Sequence, residues 1–219
     1  HCRLVPTWLG SMAANQHRLA GLQKTSYCNT AKSAVNTWLS NLVAAAYNQY
    51  EGGDAQWCLL LETRELQTLQ ALLSANIGIS AAKTVVPNPS TEECAAIREA
   101  ANGIHAIPCT SHSFLADISS RHSTSVDVSD GPCLSAFRQQ FAQKQFGFVW
   151  LDYCGTLTSL PGHRRQNDIS LLFSAKLLQR AAILAVTLSE RGAARLYRGE
   201  LADSLLICVQ AAAEKAQRR

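Results

Sequence analysis

The sequence lacks long apolar runs, paired cysteine motifs and a strong charge of either sign, and each absence excludes a class of protein. No apolar run reaches about 18 residues, the length of a transmembrane helix, so we predict no membrane span. The eight cysteines form no CxxC motif, which argues against a zinc cluster. The net charge of +4 permits a polyanionic partner but does not require one.

Charged residues are also few, at 16%, whereas apolar residues make up 47% of the 219 residues. A chain of this composition can bury a sizeable core, which excludes a mainly disordered protein. The first four residues lack the charged and then apolar layout of a secretory signal. Several of the evenly spread cysteines lie in or beside apolar runs, as small core residues do. We therefore expect an intracellular chain with reduced cysteines, without disulfide bonds or bound zinc.

The first 56 residues indicate a helical arm. From Ala31 to Tyr50, apolar residues recur at the i, i+3, i+4, i+7 spacing of an amphipathic helix. Asn29 and Thr30 are its predicted caps, and the turn at residues 51–54 ends it. We predict that residues 1–56 form this arm and that residues 57–219 form a separate domain.

From Trp57 onward, short apolar runs alternate with helical patterns. This alternation is typical of an α/β domain with a mostly parallel sheet and helices on both faces, and it predicts a Rossmann-like fold. Leu59, Val85, Ile107, Val149 and Leu184 are the predicted buried positions, one in each strand. The predicted strands cover residues 57–61, 84–87, 104–108, 146–151 and 182–187, and the predicted helices cover 65–76, 91–102, 134–144, 168–180 and 193–217.

The segment between the third strand and the fourth is predicted to contain a polar loop at 109–113 and a surface loop at 117–133. The helix at 91–102 has Thr91 as its predicted cap, followed by two acidic residues that favour the positive end of the helix dipole.

Polar residues follow the predicted strands at the points where the strands end. Right-handed crossovers bring the carboxyl ends of parallel strands to one edge of a sheet, and ligands bind there near the reversal of strand order. We therefore predict that the residues after the strands share one cleft. The candidates are Glu62, Thr63, Asn88, Ser111, His112, Ser113, Asp152 and Tyr153.

This layout resembles that of the class I S-adenosylmethionine-dependent methyltransferases over roughly residues 24–192. In that family an acidic residue closes the first strand, a polar residue after the second holds the ribose hydroxyls, and a polar loop after the third meets the adenine. The resemblance implies that Asp152 and Tyr153, after the fourth strand, face the methyl group as catalytic residues. It implies S-adenosylmethionine as the cofactor, bound by Glu62, Thr63, Asn88, Ser111, His112 and Ser113.

Two further segments extend the resemblance. In many of these methyltransferases a segment before the first strand covers the cofactor, and Lys24 and Tyr27 would suit its carboxylate. Basic residues cluster at 163–165 and again between 191 and 198, near the same edge of the sheet. Because arginine contacts phosphate groups in many nucleic-acid enzymes, the predicted methyl acceptor is RNA or DNA.

Two alternatives stay open. The glycine-rich turn that follows the first strand in methyltransferases is absent here, since residues 62–65 contain no glycine. That absence favours an inactive methyltransferase-like domain that serves as a scaffold in a larger protein assembly.

The second alternative is a phosphatase. The first motif of haloacid-dehalogenase-type phosphatases, DxDGTL, begins with the nucleophilic Asp, and it is similar to the stretch Asp152-Tyr153-Cys154-Gly155-Thr156-Leu157. Cys154 stands in place of that motif's second Asp, and Thr187 matches the family's phosphate-binding position.

Overall fold

The structure is a computed structural model that describes residues 24–47, 56–75, 78–119, 140–141, 143–153, 164–188 and 198–217. The chain divides into two compact units, one of residues 1–53 and 67–77 and the other of residues 54–66 and 78–219. The division of the chain at residue 56 into an arm and a domain stays a prediction. None of the helices in the described ranges combines the length and the apolar character needed to cross a membrane.

The first unit contains helices α1 (Lys24–Tyr47) and α2 (Gln67–Ser74). Helix α1 begins seven residues before its predicted start, so Asn29 and Thr30 lie inside the helix instead of capping it. Neither glycine nor proline occurs between residues 24 and 31 to interrupt the helix. The hydroxyl of Thr68 in α2 donates a hydrogen bond to Asn36 Oδ1 in α1 at 3.3 Å, and both side chains are buried.

The second unit is built on a parallel sheet of five strands, which confirms the predicted α/β, Rossmann-like fold. The strand order is β3-β2-β1-β4-β5, and each neighbouring pair is parallel. The order reverses between β1 and β4, which is the place where sheets of this kind bind ligands. The strands are β1 (Trp57–Leu60), β2 (Thr84–Pro87), β3 (His105–Ile107), β4 (Phe146–Tyr153) and β5 (Leu178–Leu188).

The α-helices of this unit whose bounds fall in the described residues are α3 (Thr91–Ala100), α4 (Ser111–Ser119), α5 (Arg164–Ser174) and α6 (Arg198–Gln217). The cap of α3 is Ser90 and not Thr91, because Ser90 is the residue with extended backbone, and its Oγ accepts a hydrogen bond from the backbone N–H of Glu93 at 3.2 Å. The predicted surface loop at 117–133 is wrong over residues 117–119, which form the end of α4, and its remaining residues and most of the predicted helix at 134–144 lie outside the described residues.

Helix α4 occupies a segment whose start was predicted to be a loop. Thr110 Oγ1 accepts a hydrogen bond from the backbone N–H of Ser113 at 3.1 Å, as the cap of a helix does. Phe114, Leu115 and Ile118 are buried and form one apolar stripe of the helix. The polar residues that precede this stripe are therefore its first turn and not a loop.

The connection between α5 and β5 also differs from the prediction, which extended the helix to residue 180. The helix ends at Ser174, because Lys176 adopts a positive φ of 55°. The backbone N–H groups of Lys176 and Leu177 then donate to the carbonyls of Phe173 and Leu172, each at 3.0 Å, which is the Schellman pattern of a helix end. Strand β5 consequently begins at Leu178, four residues earlier than predicted.

Four of the five predicted buried positions are confirmed. Leu59, Val85, Ile107 and Val149 are fully buried, as predicted. Leu184 is only partly buried, which corrects the prediction for the fifth strand. Edge position alone does not account for this difference, because β3 is the other edge strand and its Ile107 is fully buried.

Substitution of Leu59 and Leu184 by alanine tests this arrangement with the same chemical change on two strands. Leu59→Ala leaves a cavity in the centre of the core, and we expect it to lower the free energy of unfolding by about 2–5 kcal/mol. Leu184→Ala removes a side chain that is already partly exposed, and we expect a loss of about 1 kcal/mol. Urea denaturation followed by circular dichroism measures both, and equal losses would contradict the partial burial of Leu184.

Candidate functional site

A buried carboxylate lies at the carboxyl end of the sheet. Asp168, in the second turn of α5, is 1% exposed. Its Oδ2 accepts hydrogen bonds from Ser111 Oγ and from Tyr153 Oη, both at 2.7 Å, and its Oδ1 lies 2.9 Å from His112 Nδ1. These contacts join the start of α4, the end of β4 and α5. We call these four residues the Asp168 cluster.

The cluster satisfies the physical demands of a charge in the interior. A buried carboxylate is costly unless donors replace the water that it loses, and Asp168 has three donors within hydrogen-bonding distance. Burial and the negative charge of Asp168 raise the pKa of the Tyr153 phenol far above its usual range. Tyr153 therefore keeps its proton and acts as a donor to the carboxylate.

The position of His112 determines which of its nitrogens carries the proton. An ionised carboxylate only accepts hydrogen bonds, so the ring nitrogen beside Asp168 Oδ1 must be the N–H. In the neutral imidazole the lone pair then lies on Nε2. The side chain of His112 is 31% exposed, whereas that of Asp168 is 2% exposed. The pair thus joins a buried charge to an accessible ring.

Arg165 brings a positive charge to the cluster from the first turn of α5. Its guanidinium carbon lies 5.3 Å from the centroid of the Tyr153 ring, a cation–π distance. The other predicted basic residues, at 163–164 and between 191 and 198, have side chains outside the described residues.

A second group of contacts lies after β1 and β2. The Glu62 side chain is buried, at 5% exposure. Asn88 Nδ2 donates to the backbone carbonyl of Glu62 at 3.2 Å, and Asn88 Oδ1 accepts from the backbone N–H of Ser90 at 2.9 Å. The backbone N–H of Asn88 donates to the carbonyl of Ile107 in β3 at 3.0 Å. Asn88 therefore ties together the ends of three neighbouring strands.

The glycine-free turn after β1 is held by charged side chains. Arg64 Nε donates to Glu93 Oε1 at 2.8 Å, and the backbone N–H of Arg64 donates to Glu93 Oε2 at 3.2 Å. The hydrogen bond from Arg64 lowers the pKa of Glu93. Within the turn, Thr63 Oγ1 donates to Glu65 Oε2, which lowers the pKa of Glu65. Thr63 was predicted to bind the cofactor, and here it forms part of the turn.

Asp152 and Tyr153 are the last two residues of β4 and not the loop after it. Successive residues of a strand point to opposite faces, so the two side chains diverge. Tyr153 joins the Asp168 cluster, whereas Asp152 Oδ1 accepts a hydrogen bond from Thr187 Oγ1, its register partner in β5. The two predicted catalytic residues therefore belong to different local environments.

The described contacts divide the predicted site residues into groups. Ser111, His112 and Tyr153 are brought together by Asp168, and Glu62 is joined to Asn88. Ser113 lies apart from the cluster contacts, because its hydroxyl is 2.9 Å from Thr110 Oγ1. Convergence of all these residues on one cleft stays a prediction.

Lys24 and Tyr27 precede the predicted start of the arm helix at Ala31. In the structure both residues belong to α1, which begins at Lys24. Their side chains lie outside the described residues, and they belong to the other compact unit. Their contact with a cofactor stays a prediction.

Asp168 is the residue that the sequence analysis missed, because only positions directly after strands were considered. The sequence nonetheless contains a signal that Asp168 is buried. Asp168 precedes the buried Ile169 and lies four residues before Leu172, so it falls on the apolar stripe of α5. An ionisable residue on a buried stripe needs polar partners, which is typical of a functional or an organising position.

The described cysteine side chains include the free thiols Cys58, Cys94 and Cys208, and burial raises the pKa of Cys58 to about 12. Within the described residues, no group of three or more His, Cys, Asp or Glu side chains could hold a metal ion.

The chain matches no protein-family model and no curated protein. The function must therefore be inferred from the site itself.

Two serine substitutions in α4 test the Asp168 cluster. Ser111→Ala removes one of the three donors to a buried carboxylate, and we expect a loss of about 1.5–3 kcal/mol in the free energy of unfolding at pH 7. Ser119→Ala is the control, because the hydrogen bond that Ser119 Oγ makes within the described residues goes to a carbonyl of its own helix, and we expect a change within about 0.5 kcal/mol. Urea denaturation measures both, and similar losses would contradict a charged Asp168.

Proposed function

We propose that the chain is an S-adenosylmethionine-dependent methyltransferase. The observation that carries the proposal is the strand order β3-β2-β1-β4-β5, which puts the reversal between β1 and β4, with the buried Glu62 two residues after the end of β1. Ligands of parallel α/β sheets bind at the carboxyl ends of the strands on either side of this reversal. Glu62 and Tyr153 mark those two strand ends.

The residues at this edge fit the cofactor chemically. S-adenosylmethionine carries an ammonium and a sulfonium group, and the buried carboxylate of Glu62 favours a positively charged ligand. An amide side chain has two N–H donors and two acceptor lone pairs. The described contacts of Asn88 use one of each, which leaves one donor and one acceptor for ribose hydroxyls.

The glycine-free turn changes how the cofactor would be held. A glycine-rich turn lets the backbone approach a ligand closely, and this turn offers side chains instead. The Arg64–Glu93 pair fixes the turn from the outside, so Glu62 is the group that it presents to the interior. Methyl transfer depends mainly on in-line placement of the two reactants, which rigid strand ends supply.

The proposed methyl acceptor is RNA or DNA. Arg165 supports this proposal because it adds a positive charge beside Tyr153, at the end of the strand that borders the reversal. Arginine contacts to phosphate position nucleic acids without reading their sequence. The net charge of +4 also favours a polyanion.

Cofactor binding is tested by calorimetric titration with S-adenosylmethionine and S-adenosylhomocysteine. We expect Glu62→Gln to weaken binding by about 10- to 100-fold, since it removes a charged hydrogen-bonding partner from the site. Glu99→Gln is the matched control on the exposed surface of α3, and we expect unchanged affinity. If neither ligand binds the unsubstituted protein, the domain is a scaffold and the methyltransferase proposal fails.

A phosphatase is the second candidate, and the contact between Asp152 and Thr187 favours it. The two residues are register partners at the ends of neighbouring parallel strands, and they share a hydrogen bond. A nucleophilic Asp with a hydroxyl donor beside it suits attack on a phosphoryl group. We expect this candidate to show hydrolysis of p-nitrophenyl phosphate that Asp152→Asn abolishes and Glu62→Gln leaves intact. Absence of hydrolysis by the unsubstituted protein rejects it.

A further inference from the structure

We infer that His112 and Asp168 form a proton-accepting dyad, in which His112 Nε2 receives the proton that the methyl acceptor loses. This inference rests on the proposed function and names the class of acceptor. The methyl acceptor carries its proton on nitrogen or oxygen, as an amide-type N–H, an amine or a hydroxyl group does. An acceptor nitrogen or sulfur atom that bears no proton can be methylated without a proton-accepting residue.

The contacts of Asp168 determine which nitrogen of His112 can act as a base. Ser111 and Tyr153 already donate to Oδ2, so Oδ1 is left for the ring of His112. A carboxylate with this many donors stays ionised and holds the imidazole in the tautomer whose outer nitrogen is a base. When Nε2 takes up a proton, the buried negative charge of Asp168 stabilises the imidazolium at 2.9 Å.

The His112 side chain is accessible to a ligand. It is 31% exposed beside an almost fully buried carboxylate, whereas a cluster with a purely structural role would be expected to enclose all its members. Within the described residues, the hydrogen bond found for His112 is the one from Nδ1 to Asp168. A ring that is anchored on one side and accessible on the other can exchange protons with a bound ligand.

His112 also lies near the place where the strand order reverses. Although His112 follows β3, its bond to Asp168 brings it beside Tyr153, the last residue of β4. Strand β4 is one of the two strands that border the reversal of strand order. The dyad therefore lies next to the crevice in which a parallel sheet binds its ligand, whereas β3 is the far edge of the sheet.

The proton balance of the transfer is simple. The lone pair of the acceptor atom forms the new bond to the methyl carbon, and the carbon–sulfur bond breaks with its electron pair left on sulfur. The proton of the acceptor atom moves to His112 Nε2, and water later takes it up. No oxidant, reductant or further reactant is required.

The neighbours of His112 in the cluster suit a base. Asp168 Oδ1 lies 2.9 Å from His112 Nδ1, and Tyr153 stays neutral because burial and the charge of Asp168 raise its pKa. Only the neutral imidazole accepts a proton, so the inferred role requires that form of His112.

The first test measures the histidine ring itself and needs no methyl acceptor. We expect nuclear magnetic resonance of isotope-labelled histidine to show the Nδ1–H tautomer for His112, assigned by the signal that His112→Gln removes. Asp168→Asn should shift the tautomer, whereas the signal of His105, whose Nε2 lies 3.1 Å from the Ala82 carbonyl, should stay unchanged. A proton on Nε2 of neutral His112 overturns the inference.

The second test measures transfer of a labelled methyl group from S-adenosylmethionine to total RNA and total DNA. We expect His112→Gln to lower the turnover number, measured at saturating cofactor, about 100-fold. His105→Gln, at the opposite end of β3, is the matched control and should leave the rate unchanged. If the cofactor binds and both variants turn over equally, the dyad is wrong and the proposed function stands. If the cofactor does not bind, both fail.

Discussion

The negative charge of Asp168 is the constraint on which the packing at the carboxyl ends of the strands depends. A carboxylate in the interior is stable only when donors replace water, and the donors come from the start of α4 and the end of β4. Their geometry sets where α4 and α5 lie against β4 and also orients His112. The same carboxylate that joins α4 and α5 to β4 therefore also orients the partly exposed ring of His112.

The opposite part of the edge is organised by different means. Asn88 ties the strand ends together through its amide, and Arg64 and Glu93 fix the turn after β1 on the surface. Surface ion pairs are worth little individually, so the turn owes its shape to the combination of these contacts. At the end of this turn Leu66 adopts a positive φ of 47°, a conformation that favours glycine, so the surrounding contacts hold a leucine in the left-handed region. Such an edge offers a ligand side chains where a glycine-rich turn would offer backbone.

The two candidate functions separate along the two faces of β4. Tyr153 points to the cluster with His112, and Asp152 pairs with Thr187 on β5. The alternation of side chains along a strand thus assigns two adjacent residues to two environments. The proposed methyltransferase would use Tyr153 and the Asp168 cluster, and the alternative phosphatase would use Asp152 and Thr187. The strand itself is compatible with both, so the surroundings of each side chain decide the chemistry.

The sequence by itself determined the α/β class and the positions of the five strands, because short apolar runs and helical periods are local properties. It also placed Glu62 and Asn88 at strand ends. It could not reveal the strand order, which leaves Leu184 on an edge, nor helix α4, whose polar first turn resembles a loop. Only the tertiary structure decided the Asp168 cluster. Ser111 and Asp168 are 57 residues apart, and hydrogen bonds over such distances arise from packing and not from any local pattern.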